Sequence, residues 1–240
     1  IIPMQNNSNR EYDGLKELLS LEEHMPNYNS YIMSLCSELV ENKNQVVDFG
    51  AGIGTLSMIY REKYKCEPIC IEIDGTNKKI LKQKGFQVFD EIDDISGSID
   101  FVFSSNVLEH IKDDIEVLKA IRNKLSDNGE LYLYLPAHMI LMSRIDEVVG
   151  HYRRYSKKNI LSKLKSSGFD VTRIHYADSL GFFASLVVKV FGYNATNGLG
   201  SPASLRIYDK YILPISKFID CMGGKYLIGK NIVICAKVAK

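Results

Sequence analysis

Short apolar runs alternate with amphipathic segments along most of the chain. Seven runs rich in β-branched or aromatic residues predict strands, at residues 46–49, 68–73, 86–89, 99–104, 131–135, 171–176 and 231–238. Most segments between them carry apolar residues at helical spacing, for example Ile115, Leu118 and Ile121. Strands that alternate with helices predict an α/β fold with a doubly wound, parallel sheet.

Polar caps and glycines predict several helix ends. Ser156 is expected to cap a helix that ends at Gly168, and Gly85 to end the helix after the second strand. Asp113 or Asp114 is expected to cap the helix before the fifth strand. A further helix is predicted at residues 31–40, upstream of the first strand.

Two inserts interrupt the alternation of strands and helices. One covers residues 137–155, and the other covers residues 179–230, where a short hairpin would suffice between the last two strands. Long insertions in a compact domain are usually functional. The apolar run at 180–191 favours a core helix or a homodimer interface through 179–230, ahead of peripheral contact with a membrane or a lipid-linked acceptor.

Composition narrows the expected partners and compartment. Thirty basic and 29 acidic side chains give a formal charge of +1, which points away from nucleic acid as a partner. Five cysteines without a C-x-x-C pair argue against a disulfide framework or a zinc site, so no metal is expected and a reducing cytoplasm fits best. No apolar run approaches the length of a transmembrane segment, and the N-terminal apolar stretch is too short for a signal peptide.

The first strand stops in a glycine loop that can approach a ligand closely. Gly50, Gly52 and Gly54 occur at every second residue, and Asp48 precedes them at the strand end. A nicotinamide or flavin fingerprint requires a third glycine where this chain has Thr55, which argues against a nucleotide-dependent oxidoreductase.

The loop resembles the D-x-G-x-G-x-G motif of class I S-adenosylmethionine-dependent methyltransferases. Residues 104–110, which end in Leu108, Glu109 and His110, also resemble the segment that follows the fourth strand in that family. The resemblance implies a Rossmann-like, seven-stranded and mostly parallel sheet whose last strand is antiparallel. It also implies S-adenosylmethionine as the cofactor, residues 1–43 as an N-terminal helical lid, and residues 44–240 as the methyltransferase domain with its two inserts.

The expected cofactor residues lie at the carboxyl ends of the first four strands, with one in the lid. Glu72, at the end of the second strand, is placed to accept hydrogen bonds from ribose hydroxyls. The resemblance assigns the glycine loop to the methionine portion and the end of the third strand to adenine. The complete set is Asp48, Gly50, Ala51, Gly52, Gly54, Glu72, Ile73, Asp90, Glu91, Asn106 and Tyr28.

The expected acceptor residues lie in the segment at 150–156, which combines aromatic, basic and histidine side chains. His151, His138 and His110 compete for the role of general base, and Asp146 is expected to orient whichever of them acts. Arginines can bind a phosphate or carboxylate, and tyrosines can stack on a ring, which makes substrate-binding candidates of Tyr152, Arg153, Arg154 and Tyr155. The segment resembles one in bacterial methyltransferases encoded among enzymes of glycan and surface-polysaccharide biosynthesis.

The sequence therefore predicts methyl transfer to oxygen on a small or glycan-linked, anionic acceptor. Two alternatives remain open: N-methylation of a small molecule or amino sugar, and a noncatalytic cofactor-binding subunit. A base is needed only for a hydroxyl acceptor, whose proton must leave as oxygen attacks the methyl group.

Overall fold

The computed structural model describes residues 14–41, 43–191 and 201–239. Within these residues, seven strands form one sheet in the order β3-β2-β1-β4-β5-β7-β6. The strands are β1 (Val46–Phe49), β2 (Ile69–Ile71), β3 (Val88–Phe89), β4 (Ile99–Ser105), β5 (Leu125–Pro136), β6 (Phe169–Ala177) and β7 (Asn231–Val238).

Strand direction follows the expected topology. The first five strands are mutually parallel, and β7 runs antiparallel between β5 and β6. The prediction of a seven-stranded, mostly parallel sheet with an antiparallel last strand is confirmed. Because β1 and β4 are central neighbours, their carboxyl ends form the crevice where open α/β sheets bind ligands.

Helices flank the sheet and make up most of the inserts. They are α1 (Gly14–His24), α2 (Pro26–Ser34), α3 (Thr55–Tyr64), α4 (Gly75–Gln83), α5 (Asp114–Lys124), α6 (Arg144–Val148), α7 (Lys157–Ser166), α8 (Ser179–Phe191), α9 (Pro202–Ile207), α10 (Leu213–Ile219) and α11 (Lys225–Leu227). Two π-helical turns, Tyr208–Ile212 and Asp220–Gly224, join the last three. None of the described helices has the length and apolar character needed to cross a bilayer.

The two faces of the sheet are buried by different side chains. Aliphatic residues of α5 and α7, including Leu118 and Ile160, cover one face. Aromatic residues dominate the other face, where the Tyr60 ring of α3 stacks on Phe103 with centroids 5.3 Å apart. Alternating residues of each strand supply the two cores, as the period of a strand requires.

Most predicted helix ends agree with the structure. Ser156 accepts a hydrogen bond from the Asn159 backbone at 3.2 Å, and Gly85 and Gly168 adopt positive φ after α4 and α7. Asp113 occupies the N-cap position of α5 as expected, but its side chain makes no capping hydrogen bond, and Asp114 binds distant groups.

The N-terminal helix differs from its predicted bounds. The predicted bounds of the helix at residues 31–40 are wrong, because α2 begins at Pro26 and ends at Ser34. Proline suits the first helical position. The Asp209 carboxylate of the second insert accepts hydrogen bonds from the backbone of Asn27 at 3.2 Å and of Tyr28 at 2.8 Å. A distant residue therefore satisfies the helix start, which local sequence does not reveal.

Candidate active site

The glycine loop after β1 is folded back against β2. The backbone N–H groups of Gly50 and Ala51 both donate to the Ile71 carbonyl, at 2.9 and 3.0 Å. Gly50 has a φ of 78°, and a Cβ at this position would collide with the Val107 side chain. The loop therefore needs glycine both for its backbone conformation and for its close approach to the chain that follows β4.

Asp48 lies behind the loop rather than on its open side. Its carboxylate is buried and accepts a hydrogen bond from the Ser57 hydroxyl of α3 at 2.5 Å. Burial raises the pKa of Asp48 to about 7, although the bond from Ser57 acts in the opposite direction. Asp48 thus connects the end of β1 to α3.

Glu72 joins the end of β2 to the same loop. One carboxylate oxygen accepts from the backbone of Ile73 and Asp74, each at 2.8 Å, and the other accepts from Gly52 at 2.7 Å. Burial raises the pKa of Glu72, while these three bonds favour the charged form. The carboxylate is thus held at the carboxyl end of β2, against the glycine loop.

The other expected cofactor residues of the crevice are more exposed. Asp90 and Glu91 follow β3 at the surface, and the Asp90 carboxylate pairs with the Lys78 ammonium at 2.8 Å. Half of Ile73 is exposed. Asn106 has a φ of 53°, and its backbone N–H donates to the backbone carbonyl of Tyr134 at 2.9 Å. This bond aligns the end of β4 with β5.

The two N-terminal helices lie over the carboxyl edge of the sheet. On α1, Leu18 lies against Gly52, and Glu22 pairs with Lys84 at 2.7 Å. On α2, the Tyr28 hydroxyl lies 2.9 Å from the Tyr134 hydroxyl and accepts from the Asn231 side chain at 2.9 Å. These contacts place both helices beside the glycine loop and the ends of β5 and β7.

The predicted acceptor segment brings a histidine between two carboxyl groups. Nδ1 of His151 lies 2.8 Å from Oδ1 of Asp146, and its Nε2 lies 3.8 Å from Oε1 of Glu109. The Tyr152 backbone N–H donates to the Glu109 carbonyl at 2.8 Å, which fixes the segment against the chain after β4. Glu109 is two residues from Val107, so this cluster adjoins the glycine loop.

The two carboxyl groups beside His151 differ in their environments. Glu109 is fully buried, both its side-chain oxygens lack a hydrogen-bond partner, and burial raises its pKa to about 8. Burial also opposes ionisation of Asp146, but hydrogen bonds from His151 and Arg154 hold its pKa well below the usual range. Asp146 is therefore ionised at neutral pH, whereas Glu109 titrates near it.

His110 packs edge-on against His151, with ring centroids 4.6 Å apart. Burial and the neighbouring His151 lower the pKa of His110 to about 4, so its ring is neutral at pH 7. Among the described residues, Glu109, His110 and His151 are the group that can hold a metal ion, since each offers a ligand atom within 4.8 Å of the others.

Both arginines of the acceptor segment are already paired with buried carboxylates. Arg153 contacts Asp114 at 2.7 Å, and Arg154 contacts Asp146 at 2.8 Å. Tyr155 has no exposed surface and donates its hydroxyl to Asp114 at 2.9 Å. The expectation that Tyr155 stacks on an acceptor is therefore wrong, and the arginines are engaged in structural ion pairs rather than free to clamp an anion.

The two remaining acceptor-side candidates, Tyr152 and His138, lie in different environments. Tyr152 is more than half exposed, as a contact for an acceptor requires. The His138 ring stacks on Tyr176 at 4.7 Å and meets the edge of Phe182 at 5.3 Å. Burial and nearby cations lower the pKa of His138. This histidine packs against β6 and α8 and is not part of the cluster around His151.

A family model matches the part of the sequence that contains this site. The family model described as a methyltransferase domain matches residues 21–174, well over half of the chain. The chain belongs to the methyltransferase domain family. This membership covers the glycine loop, Glu72 and the cluster around His151, and it confirms S-adenosylmethionine as the expected methyl donor. No curated protein matches this methyltransferase in sequence.

Solved structures share the fold at low sequence identity. A methyltransferase of Archaeoglobus fulgidus superimposes with a TM-score of 0.61 at 16% identity, covering 92% of this chain and 99% of that one. A methyltransferase of Clostridium acetobutylicum superimposes with a TM-score of 0.56 at 12% identity, covering 94% of this chain and 96% of that one. Phosphoethanolamine N-methyltransferase 2 of Haemonchus contortus, bound to S-adenosylmethionine, superimposes with a TM-score of 0.55 at 15% identity. The match covers 87% of this chain and 52% of that one.

One member of the cluster had no predicted role of its own. Glu109 was visible in the sequence only as part of the Leu-Glu-His segment. Asp146, by contrast, was expected to orient the acting histidine, and its carboxylate lies 2.8 Å from Nδ1 of His151. The feature that distinguishes Glu109 is the burial of its carboxyl group without a hydrogen-bond partner. Nothing in its local sequence indicates this burial.

Proposed function

We propose that this methyltransferase transfers a methyl group from S-adenosylmethionine to a hydroxyl oxygen on a small or glycan-linked acceptor. The observation that carries the proposal is the orientation of His151 by Asp146, which leaves Nε2 facing the buried Glu109. An imidazole held in this way by a carboxylate suits a general base.

The geometry accommodates an acceptor oxygen. The His151 side chain is 13% exposed whereas Glu109 is fully buried, so an acceptor oxygen that enters the cluster forms its hydrogen bond with Nε2 of His151, which lies 3.8 Å from Oε1 of Glu109. The oxygen attacks the sulfonium methyl group, the carbon–sulfur bond breaks, and the hydroxyl proton passes to Nε2. S-adenosylhomocysteine would be the neutral product, and the ionised Asp146 carboxylate would stabilise the imidazolium of His151.

The cofactor occupies the crevice in this proposal. Gly50 to Gly54 enclose the methionine portion, and Glu72 exchanges its bond with Gly52 for bonds from the ribose hydroxyls. Asp90, Glu91 and Ile73 lie beside the adenine, and α1 and α2 act as the lid, with Tyr28 over the end of β5. Aromatic walls and exclusion of water favour loss of the sulfonium charge during transfer.

Glu109 supports a second candidate function, N-methylation of an amine. A buried carboxylate without a partner can bind an ammonium group, and such a contact would neutralise its charge. The hydroxyl acceptor is preferred because the Asp146–His151 pair supplies the base that takes a hydroxyl proton during attack, whereas an ammonium group must lose its proton before its nitrogen has a lone pair with which to attack.

The experiment is a methyl-transfer assay with radiolabelled cofactor. The full chain is incubated with alcohols, sugars, amino sugars and amines, and the methylated atom is identified by mass spectrometry. O-methyl products that disappear in His151→Gln support the proposal. Exclusively N-methyl products would replace it with the amine reaction, and cofactor binding without any turnover would favour a noncatalytic subunit.

A further inference from the structure

The helices of the second insert turn apolar side chains toward solvent. From α9 to the turn after α10, one stripe of apolar side chains is exposed, consisting of Ile207, Tyr211, Ile215, Phe218 and Met222. The opposite stripe is buried and contains Leu205, Asp209, Leu213, Ser216 and Asp220. Three polar side chains thus face the protein, whereas the outward stripe is apolar, which is the reverse of an ordinary surface helix.

The buried acids of this region are fully used within the protein. Asp209 accepts from the start of α2, and Asp220 accepts from the Tyr31 hydroxyl at 3.1 Å and the Asp178 backbone at 2.8 Å. Asp209 and Asp220 therefore contribute no negative charge to the outer surface of the insert. The inward polarity of the helix is explained by these bonds, while the outward apolar stripe has no such explanation.

The charges that do reach solvent in this insert share one sign. Within its described residues, every charged side chain that is not buried is basic: Lys189, Arg206, Lys210, Lys217, Lys225 and Lys230. Two of these lie beside exposed aromatic rings, with Lys210 5.4 Å from the Tyr211 centroid and Lys225 5.4 Å from that of Tyr226. Lys210 therefore borders the apolar stripe, and Lys225 lies beside the exposed Tyr226 that follows it in sequence.

A second apolar stripe extends this surface. On α8, which packs against α10, Phe183, Val187 and Val190 are exposed at helical spacing. Next to α8, Met139 and Ile140 of the first insert are also exposed, and the Lys189 ammonium donates to the Ile140 carbonyl at 2.6 Å. Exposed apolar patches of this extent mark interaction sites.

We propose that this surface docks the enzyme on an anionic lipid bilayer, with the two apolar stripes at the boundary between headgroups and acyl chains. Apolar and aromatic side chains bordered by lysines are what such a boundary binds. A second copy of the chain fits less well, because pairing this face with itself would bring basic side chains against basic side chains. Within the described part of the insert the acidic side chains, Asp209 and Asp220, are buried, and the exposed Glu23 of α1 pairs with Arg206 at the edge of this face.

The test is cosedimentation of the full chain with vesicles of phosphatidylcholine, with and without phosphatidylglycerol. We expect binding to the anionic vesicles alone and weakening by salt. The double variant Ile215→Ser/Phe218→Ser should bind at least about tenfold more weakly, whereas Leu19→Ser, at an exposed apolar residue of α1, should bind within about twofold of wild type. Thermal unfolding checks that both variants are folded.

The charge contribution is tested separately. Lys210→Gln/Lys225→Gln should weaken binding by roughly fivefold per lysine, and Lys79→Gln/Lys82→Gln on α4 has the same charge change and should have little effect. Absence of binding, or equal binding to both vesicle types, would overturn the proposal. So would a wild-type dimer in sedimentation that Ile215→Ser/Phe218→Ser converts to a monomer. Vesicle binding needs no turnover, so its failure leaves the proposed reaction unaffected.

Discussion

Asp146 holds the ring of His151 in one orientation, with Oδ1 2.8 Å from Nδ1. The same carboxylate binds Arg154 through both oxygens, which keeps it ionised and fixed in position. The proton of the neutral imidazole therefore belongs on Nδ1, and the lone pair on Nε2 faces Glu109. This tautomer is the one that a general base acting through Nε2 requires.

Removing this base is expected to affect turnover and not cofactor binding. His151→Gln should lower kcat by roughly 10²–10⁴-fold, the usual contribution of a general base. Asp146→Asn should also lower kcat, because an amide does not fix the same tautomer. Calorimetry should show S-adenosylhomocysteine binding as in wild type. A kcat that survives both substitutions would contradict the assignment of His151.

Glu72 is expected to contribute mainly to cofactor affinity. Glu72→Ala removes a charged acceptor that the crevice presents and releases the Gly52 N–H, so the Kd for S-adenosylhomocysteine should rise roughly tenfold to a hundredfold. Asp74→Asn is the matched control, since asparagine can keep the cap of α4. Equal losses of affinity in both variants would point to a general disturbance of the loop instead.

Arg153 is expected to matter for stability more than for catalysis. Its guanidinium and Lys163 both pair with the buried Asp114, so Arg153→Ala leaves that carboxylate with less compensation. The free energy of unfolding should fall by about 2 kcal/mol in denaturant titration. Lys119→Ala, which removes an exposed ion pair on α5, should change it by less than about 0.5 kcal/mol. A loss of kcat with unchanged stability would restore the predicted role in acceptor binding.

The positions of the predicted cofactor residues along the sheet edge could be predicted because they depend on local sequence. Asp48 and Glu72 each end a strand, and parallel strands bring those ends to one edge. The sequence also indicated the glycine loop, whose positive φ and close approach to Val107 demand glycine.

The acceptor side was less predictable because its electrostatics depend on distant partners. Arg153 and Tyr155 were candidates for substrate contact, yet both bind Asp114 on α5, far away in sequence. His138 lay near the expected catalytic edge, but its ring packs on Tyr176 and Phe182. Residue type and strand position do not reveal which charged groups are already paired.

Glu109 is expected to make stability depend on pH. Its pKa is raised from the ordinary glutamate range to about 8 by burial, so the folded protein holds this proton more tightly than the unfolded chain. The contribution of Glu109 to the free energy of unfolding is therefore greatest at pH values below the pKa that this residue has in the unfolded chain. It is lost as the pH rises through about 8. Between pH 7 and pH 9, where His110 is largely neutral in both the folded and the unfolded chain, the wild-type free energy of unfolding should decrease by ~1 kcal/mol or more.

Comparison with Glu109→Gln isolates this effect. The glutamine does not titrate, so the variant should lose less stability between the two pH values than wild type does. Some dependence should remain, because burial also raises the pKa of Asp48, to about 7. Glu116→Gln, at an exposed position of α5, should behave as wild type. Equal pH dependence in wild type and Glu109→Gln would show that Glu109 is not the titrating group.

Metal ions provide a test of what Nε2 of His151 does. If that nitrogen acts as a base, treatment with EDTA should leave turnover unchanged, and added Zn²⁺ should inhibit by binding Glu109, His110 and His151 together. EDTA should reverse the inhibition, and His110→Gln should weaken it by removing one ligand while leaving the base in place. Loss of turnover on EDTA treatment, restored by a divalent ion, would instead make the cluster a catalytic metal centre, since a nitrogen bound to a metal cannot accept the acceptor's proton.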